Sequence, residues 1–354
     1  MPILQSDLLR NFTREIFEAC GSPSEEAAIV ADHLIEANLM GVDSHGVIRI
    51  TQYVDDVREK AIIPGAPITS TNETQTTAIV DGGWNFGLVV AWRAMEVGMA
   101  KARLHHTACV VTRRCGHAGR LGAYTQLAAE NGFIAFAVCN SPRHGHFVLP
   151  WGGREGRLAT NPISYGVPTN LGHPVVSDFS TAAAPEGKIR LCRDERRAVP
   201  NGWIVDAEGN PTTNPADFYG PPMGAIRPFG GESGYRGYAL SLLVELMGST
   251  LAGQDITVDR PGNDLAFILV DVSAFLPHQK FYGLVERVSQ YMKSSPPAEG
   301  FEEVLLPGDP EFRTADKRQR SGIPVDDGIW NRILDCADSL GVKWPAGARS
   351  PSQA

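Results

Sequence analysis

Residues 108–139 restrict the possible folds of this chain more than any other stretch. Their pattern predicts a buried strand, a turn with glycine at every third position (116–122), a helix and a second buried strand, which is an α/β arrangement. The spacing is not the G-x-G-x-x-G of a Rossmann fingerprint, and Cys139-Asn140 stands about twenty residues on, where a Rossmann domain carries an acidic residue. We therefore interpret the glycines first as a tight turn that allows close helix packing.

Two further patterns lie on either side of this stretch. Apolar stripes at helical spacing predict helices over 6–20, 22–39 and 47–57, and a proline-rich link at 63–67 separates them from the rest of the chain. Strands are then predicted at 77–81, 133–139, 163–167, 175–178 and 265–270. The segment 237–251 is apolar on nearly every side, which predicts a central buried helix, and 307–320 is interpreted as a charged loop.

Composition excludes several classes of function. The net charge of −8 and the lack of a basic block argue against nucleic acid as a partner. The six cysteines are scattered without C-x-x-C spacing, which favours free thiols in a reducing compartment. The close pairs His105-His106 and His144-Gly145-His146 are too unspecific to predict a metal site. With neither a signal-peptide pattern nor an apolar run long enough for a membrane span, we expect a cytoplasmic protein without membrane contact.

The segment 41–49, here called the histidine–arginine corner, places Ser44, His45 and Arg49 between two predicted helices. Gly41 supplies a left-handed helix stop. Arg49 is four residues after His45, so the two side chains share one face if the second helix begins near Gly46. An imidazole beside a guanidinium suits a small carboxylate that exchanges a proton. The alternative is a capped helix start with a surface arginine.

Three more places carry candidate chemistry. His117 stands in the glycine turn before a helix, where the helix dipole would lower its pKa and favour the neutral ring. Thr160-Asn161-Pro162 offers amide and hydroxyl groups suited to a nicotinamide carboxamide or a ribose. Asp178 ends a strand, where it can orient a histidine or cap the next segment, and Arg236 precedes a helix, where a cation suits a phosphate.

Taken together, these pieces resemble the malate/L-lactate dehydrogenase family of the non-Rossmann type. The resemblance covers nearly the whole chain, in order. The matching stretches are Asp43-Ser44-His45-Gly46 with Arg49 and Tyr53, Gly116-His117-Ala118-Gly119, Asn140-Ser141-Pro142, Ala159-Thr160-Asn161-Pro162, Ser177-Asp178-Phe179-Ser180-Thr181, 200–206, 209–213, and Arg236-Gly237-Tyr238.

The resemblance implies an α/β (α+β) fold with a mixed, largely antiparallel sheet that binds NAD or NADP, and a homodimer. It implies a helical unit formed by residues 1–70 together with about 295–345, and a cofactor-binding domain over 71–294. The polar composition of residues 346–354 predicts a disordered tail. It also implies roles for individual residues. These are catalysis for His45, His117 and Asp178; substrate binding for Ser44, Arg49, Tyr53 and Thr160; and cofactor binding for His117, Ser141, Thr160, Asn161, Pro162, Asp178, Phe179, Ser180, Arg236 and Gly237.

The function implied is hydride transfer between a nicotinamide and a small 2-hydroxy or 2-oxo acid, with His45 exchanging the proton and Arg49 holding the carboxylate. Family members differ in which histidine is named the acid/base, so His117 is the alternative. A cyclic-imine reductase, a ureidoglycolate-type dehydrogenase and a cofactor-binding homologue without activity are further alternatives. Arg236 stands where the family usually has lysine, and the two are not equivalent where geometry matters.

Overall fold

The computed structural model describes residues 1–141, 143–257 and 262–344. The tail expected to be disordered at 346–354, and Pro142 of the Asn140-Ser141-Pro142 match, lie outside these residues. The helices are α1 (Ser6–Ala19), α2 (Ser24–Leu39), α3 (Arg49–Arg58), α4 (Gly87–His105), α5 (Gly122–Glu130), α6 (Glu186–Asp194), α7 (Pro215–Tyr219), α8 (Gly234–Glu245), α9 (His278–Lys293), α10 (Asp309–Ser321) and α11 (Asp327–Ser339). The strands are β1 (Ile3–Leu4), β2 (Thr69–Thr71), β3 (Thr77–Asp81), β4 (Thr107–Arg113), β5 (Phe133–Asn140), β6 (Ile163–Val167), β7 (Val175–Phe179), β8 (Ile204–Val205), β9 (Pro211–Thr212), β10 (Ala225–Ile226), β11 (Asp264–Asp271) and β12 (Ile323–Pro324).

The main sheet is mixed and mostly antiparallel. In the described part of the chain its seven strands run in the order β2-β3-β4-β11-β5-β6-β7, and β3 with β4 is its parallel pair. The late strand β11 inserts between β4 and β5, pairing antiparallel with both. The predicted strand–turn–helix–strand stretch is therefore present, but its two strands are not neighbours, and the expected non-Rossmann sheet is confirmed.

A helical unit lies against this sheet. Its hydrophobic core includes Phe17 from α1, Leu34 from α2 and Tyr53 from α3, and it also takes Trp330 and Ile333 from α11. The antiparallel pair β1–β12 joins the start of the chain to the segment just before α11. Segments separated by more than two hundred residues thus share one core, and this core holds the histidine–arginine corner from behind.

Two predictions about secondary structure and burial are wrong. The segment 307–320 is not a loop, because α10 occupies most of it. The predicted central helix is α8, which continues through a π-helical turn over Leu246–Thr250, and much of its apolar surface is exposed, with Leu243 at 42% and Leu246 at 50%. Apolar periodicity identified the helix correctly but did not distinguish a core position from an uncovered face.

A small sheet lies beside the main one. Its order is β10-β8-β9, all antiparallel, and it packs with the short helices α6 and α7 around Phe218 and Ile226. Among the described residues, no helix is long and apolar enough to cross a membrane.

Candidate active site

The histidine–arginine corner is a short 3-10 turn, Asp43–His45, between α2 and α3. Gly41 adopts the left-handed conformation predicted for it (φ 79°). Asn38 at the end of α2 fixes the turn, since its side-chain oxygen accepts from the Val47 amide at 2.8 Å and its amide donates to Asp43 at 2.6 Å. A Cβ on Gly46 would come within 2.1 Å of the Asn38 side-chain oxygen, so glycine is required there. The corner is therefore held rigidly by α2.

Two imidazoles meet at this corner. The rings of His45 and His117 are nearly parallel (17°), with centroids 5.7 Å apart. Nδ1 of His45 lies 3.0 Å from the Ser44 hydroxyl, and Nδ1 of His117 lies 2.7 Å from the hydroxyl of the fully buried Tyr53. Each ring is thus held through Nδ1, and neither Nε2 has a hydrogen-bond partner among the described residues. The structure brings together four predicted site residues here: Ser44, His45, Tyr53 and His117.

Both histidines are neutral at pH 7. Burial, helped by the positive charges of Arg49 and Arg120, lowers the pKa of His45 to about 4. Burial also lowers the pKa of His117 well below its ordinary value, followed by the effects of Arg49 and His45. The direction agrees with the prediction for His117, but the cause differs, because α5 begins only at Gly122 and its dipole is not at His117. A neutral imidazole is the form that can accept a proton from an alcohol.

Arg49 is the first residue of α3, so that helix begins two residues after the start predicted at 47. Its side chain folds back over the turn, with Nε donating to the Ser44 carbonyl at 2.8 Å and Nη1 to Gln52 at 2.7 Å. Nη2 has no hydrogen-bond partner in the part of the chain that the structure describes. A half-buried guanidinium fixed in this way keeps donors available to an arriving carboxylate.

A cleft of about 550 Å³ opens from the corner. The predicted site residues that line it are His45, Thr160, Pro162, Asp178, Phe179 and Ser180. The Thr160 carbonyl accepts from the Ser180 hydroxyl at 3.0 Å and from the Thr181 amide at 3.0 Å, which joins these two segments into one wall. The volume and the mixed apolar and polar lining are those of a small-molecule or cofactor site.

Asp178 is not hydrogen-bonded to His45 or His117. Its carboxylate accepts the Gly122 amide at 2.7 Å and so caps the start of α5. Burial raises the pKa of Asp178, while the Gly122 amide and Arg120 act in the opposite direction. The hypothesis that Asp178 orients a catalytic histidine is therefore wrong, since Ser44 and Tyr53 occupy the Nδ1 positions.

The glycine turn packs closely, as the sequence suggested. A Cβ on Gly87 at the start of α4 would meet the Gly116 carbonyl at 2.1 Å, and one on Gly119 (φ 67°) would meet the His33 ring at 2.4 Å. The Arg120 amide donates to Nε2 of His33 at 2.9 Å. This turn therefore positions His117 on one side and Arg120 on the other through backbone contacts.

Ser141 and Asn161 lie in a buried polar network below the cleft. Asn263 donates to the Ser141 hydroxyl at 3.1 Å and accepts from the Ala118 amide at 2.9 Å, which connects the network to the glycine turn. Asn161 donates to the Ser241 carbonyl at 3.0 Å and to Glu245 at 3.3 Å. These contacts give both residues supporting positions under the cleft wall.

Arg236 and Gly237 lie outside the cleft lining. Arg236 is exposed, and its Nε donates to the Tyr235 hydroxyl at 3.1 Å. Gly237 is buried on α8, where a Cβ would meet the Phe229 carbonyl at 2.3 Å. Gly237 therefore has a packing role, and Arg236 lies at the surface.

Three lining or supporting residues were missed by sequence reasoning. Arg120 comes directly after Gly119, the last residue of the Gly116-His117-Ala118-Gly119 match, and is 4% exposed. Glu311 and the preceding segment 305–310 form a wall of the cleft. His33 is buried inside α2. The start of α10 carried a signal, because Asp309-Pro310-Glu311 is typical of a first helical turn.

Acid is expected to destabilise the fold through its buried neutral histidines. Burial, followed by the charges of Arg120 and His45, lowers the pKa of His33 to about 3, whereas an unfolded histidine titrates near 6.5. Between these values the unfolded chain binds a proton that the folded chain does not, so the unfolding free energy falls as pH falls below about 6.5. Urea unfolding of His33→Gln should show a slope against pH that is smaller by about 1 kcal/mol per unit between pH 5 and 6. Glutamine can still accept from the Arg120 amide, and an unchanged slope would contradict this account.

The sequence profile of the malate/L-lactate dehydrogenase family matches residues 4–334. A malate dehydrogenase of Pyrococcus horikoshii is 32% identical over 348 residues, covering 95% of each chain. The structure of sulfolactate dehydrogenase from Methanocaldococcus jannaschii superposes with a TM-score of 0.89 at 31% identity, covering 97% of this chain and 98% of that one. The structure of delta1-piperideine-2-carboxylate reductase from Pseudomonas syringae pvar. tomato gives 0.82 at 26% identity, covering 95% of this chain and 100% of that one.

Fold, site and these similarities define an oxidoreductase, in the class of dehydrogenases acting on CH–OH groups. The chain belongs to the malate/L-lactate dehydrogenase family.

Proposed function

We propose that the protein interconverts a small 2-hydroxy acid and its 2-oxo acid, using NAD or NADP. The observation that carries this proposal is the corner itself. The neutral His45 lines the cleft there, and the half-buried Arg49, bonded through Nε to the Ser44 carbonyl, has no Nη2 partner among the described residues. Relatives named malate, sulfolactate and lactate dehydrogenase support the substrate class.

The cleft fits a nicotinamide cofactor. Its volume of about 550 Å³ suits a large ligand. The buried side-chain oxygen of Asn161 has no hydrogen-bond partner among the described residues, which leaves an acceptor next to Thr160, and Ser180 and Asp178 supply further polar groups on the same wall. We assign Thr160, Asn161, Pro162, Asp178, Phe179 and Ser180 to holding the cofactor, with Ser141 below them. Held there, the cofactor would supply the hydride acceptor for C2 of the hydroxy acid and, in its reduced form, the hydride donor for the 2-oxo acid.

The protein residues position the substrate and move its proton. Arg49 binds the substrate carboxylate through the two N–H groups of Nη2, which fixes the rest of a small molecule within reach of His45. The hydrogen bond to Ser44 holds Nδ1 of His45, so Nε2 takes the hydroxyl proton during oxidation and returns it during reduction. Burial is the main cause of the lowered pKa of His45, and the charge of Arg49 is the next. A carboxylate beside Arg49 offsets that charge, which eases proton uptake by His45. Tyr53 is a positioning residue, because its hydroxyl is hydrogen-bonded to Nδ1 of His117 and fixes that ring.

A substrate screen tests the proposal. Pyruvate, oxaloacetate, 3-sulfopyruvate and a cyclic imine would each be assayed with NADH and NADPH at neutral pH. We expect turnover of at least one 2-oxo acid, and cofactor binding without turnover across the panel would contradict the proposal in favour of a binding homologue.

A cyclic-imine reductase is the second candidate, supported by the similarity to the piperideine-2-carboxylate reductase structure. It would use the same carboxylate clamp, with His45 donating its proton to the imine nitrogen. Turnover of piperideine-2-carboxylate in preference to every 2-oxo acid would decide for it.

We also propose a homodimer with the two-part organisation that the family resemblance implied. The exposed leucines of α8 and the turn after it, Leu242, Leu243, Leu246 and Leu251, support a self-association face.

The shared core of α1, α3 and α11 supports a helical unit made from 1–70 and about 295–345, against a cofactor domain over 71–294. Six free cysteines support the reducing environment of the cytoplasm. Light scattering would measure the mass in solution, and a monomer would contradict the dimer.

A further inference from the structure

Beyond the corner, the charged side chains that line the cleft are Arg120, Asp178 and Glu311. Arg120 is already engaged, because Nη2 donates to Glu36 at 2.8 Å and to Gln126 at 2.9 Å. Its charge is therefore matched by a carboxylate that lies outside the lining. Asp178 and Glu311 leave this part of the cleft with an excess of negative charge.

Glu311 is the less restrained of the two carboxylates. It lies in the first turn of α10, is half-buried, and has no hydrogen-bond or ion-pair partner among the described residues. Two arginines further along the same helix are occupied, Arg313 by Glu303 and Arg318 by Asp43. Burial raises the pKa of Asp178, and the negative charge of Glu311 adds to this effect, so the two carboxylates act on each other within the cleft. Because Arg313 and Arg318 already form ion pairs, neither of them offsets the negative charge of Glu311.

NAD and NADP differ only by the 2′-phosphate, which adds a charge of about −2 at neutral pH. Both dinucleotides carry the same pyrophosphate and nicotinamide, so their relative affinity depends on whether the cleft attracts or repels the 2′-phosphate. A phosphate dianion in a partly desolvated cleft is repelled by like charges over several ångströms, whereas a ribose hydroxyl is not and can donate to a carboxylate.

We propose that Glu311 makes the cleft selective for NAD over NADP. This inference rests on the proposed function and names which of its two cofactors the chain takes. It assigns a specificity role to a residue in a segment that sequence reasoning interpreted as a loop.

Direct binding tests it without turnover. The fluorescence of NADH and NADPH would be titrated with the wild-type protein, Glu311→Gln and Glu311→Lys, at low and physiological salt. We expect the wild type to bind NADH about 10-fold or more tightly than NADPH. Glu311→Gln should strengthen NADPH binding about 5-fold with NADH within 2-fold, and Glu311→Lys should strengthen it further. Glu302→Gln, which removes the same charge from an exposed position outside the lining, is the matched control.

The outcomes separate the two hypotheses. Equal wild-type affinity for NADH and NADPH, or NADPH binding that neither Glu311 variant strengthens beyond the Glu302→Gln control, overturns the selectivity assigned to Glu311 and leaves the proposed function intact. Failure of both dinucleotides to bind overturns the proposed function itself. Added salt should narrow the wild-type difference, because the repulsion is electrostatic.

Discussion

His45→Gln is expected to lower kcat by about 10²- to 10⁴-fold, the range for loss of a general acid/base. Glutamine is similar in length and can still contact the Ser44 hydroxyl, so the turn Asp43–His45 should keep its shape. It cannot take up the substrate proton. Because His45 is one of many residues that line the cleft, NAD(P)H affinity measured by fluorescence should stay within about 3-fold of wild type. Steady-state kinetics in both directions would measure the loss.

His117→Gln is the comparison that assigns the roles. We expect a smaller loss from it, because His117 is held by the buried Tyr53 and lies outside the cleft lining. If His45→Gln kept near-normal kcat while His117→Gln lost it, the acid/base assignment would be reversed. Tyr53→Phe would then distinguish the two arrangements further, since it frees Nδ1 of His117 and leaves the His45–Ser44 contact in place.

The strands and most helices could be predicted because their signals are local. Runs such as 133–139 alternate with glycine turns, and the sheet buries them as expected. Strand order was not predictable in the same way, because the placement of β11 between β4 and β5 depends on pairings more than one hundred residues apart. The resemblance to a known family supplied the sheet type that periodicity could not.

The missed helix α10 shows a second limit. Its sequence is highly charged, so hydrophobic periodicity is weak, and tertiary contacts stabilise it. Lys293 binds Asp309 at 2.7 Å at its start, and Arg318 binds Asp43 at 2.6 Å towards its end. The second contact also secures the histidine–arginine corner. A site wall and a support for the catalytic turn thus lie in a segment whose own pattern indicated neither.

The corner was predicted as a set of residues but not as a geometry. Sequence spacing put His45 and Arg49 on one helical face, yet in the structure His45 lies in a 3-10 turn and Arg49 begins the helix and reaches back to it. The contact of His117 with Tyr53 crosses 64 residues and has no local signal. Such contacts decide which nitrogen of each ring can exchange a proton with the substrate. That assignment therefore required the three-dimensional structure.

Replacing Arg49 should affect substrate affinity more than any other change at the corner. Arg49→Lys keeps the positive charge but loses the planar fork, and it cannot bond the Ser44 carbonyl and Gln52 while also offering a pair of donors to a carboxylate. Loss of a partner for a desolvated carboxylate costs about 2–5 kcal/mol, which corresponds to a fall in kcat/KM of roughly 30- to 5000-fold. Most of the fall in kcat/KM should appear as a higher KM. The value of kcat should fall less, because His45 is unaltered.

Arg58→Lys is the matched control for this change, because it makes the same exchange at the other end of α3, where Arg58 bonds Asp55 and Ser339 at the surface. We expect its kinetics to match the wild type. A second comparison isolates the carboxylate, since a substrate analogue with a neutral amide in place of that group should be turned over equally poorly by the wild type and by Arg49→Lys. If Arg49→Lys instead discriminated between acid and amide as strongly as the wild type does, the carboxylate would be bound elsewhere, and the half-engaged guanidinium of Arg49 would serve only to hold the Ser44 turn beneath His45.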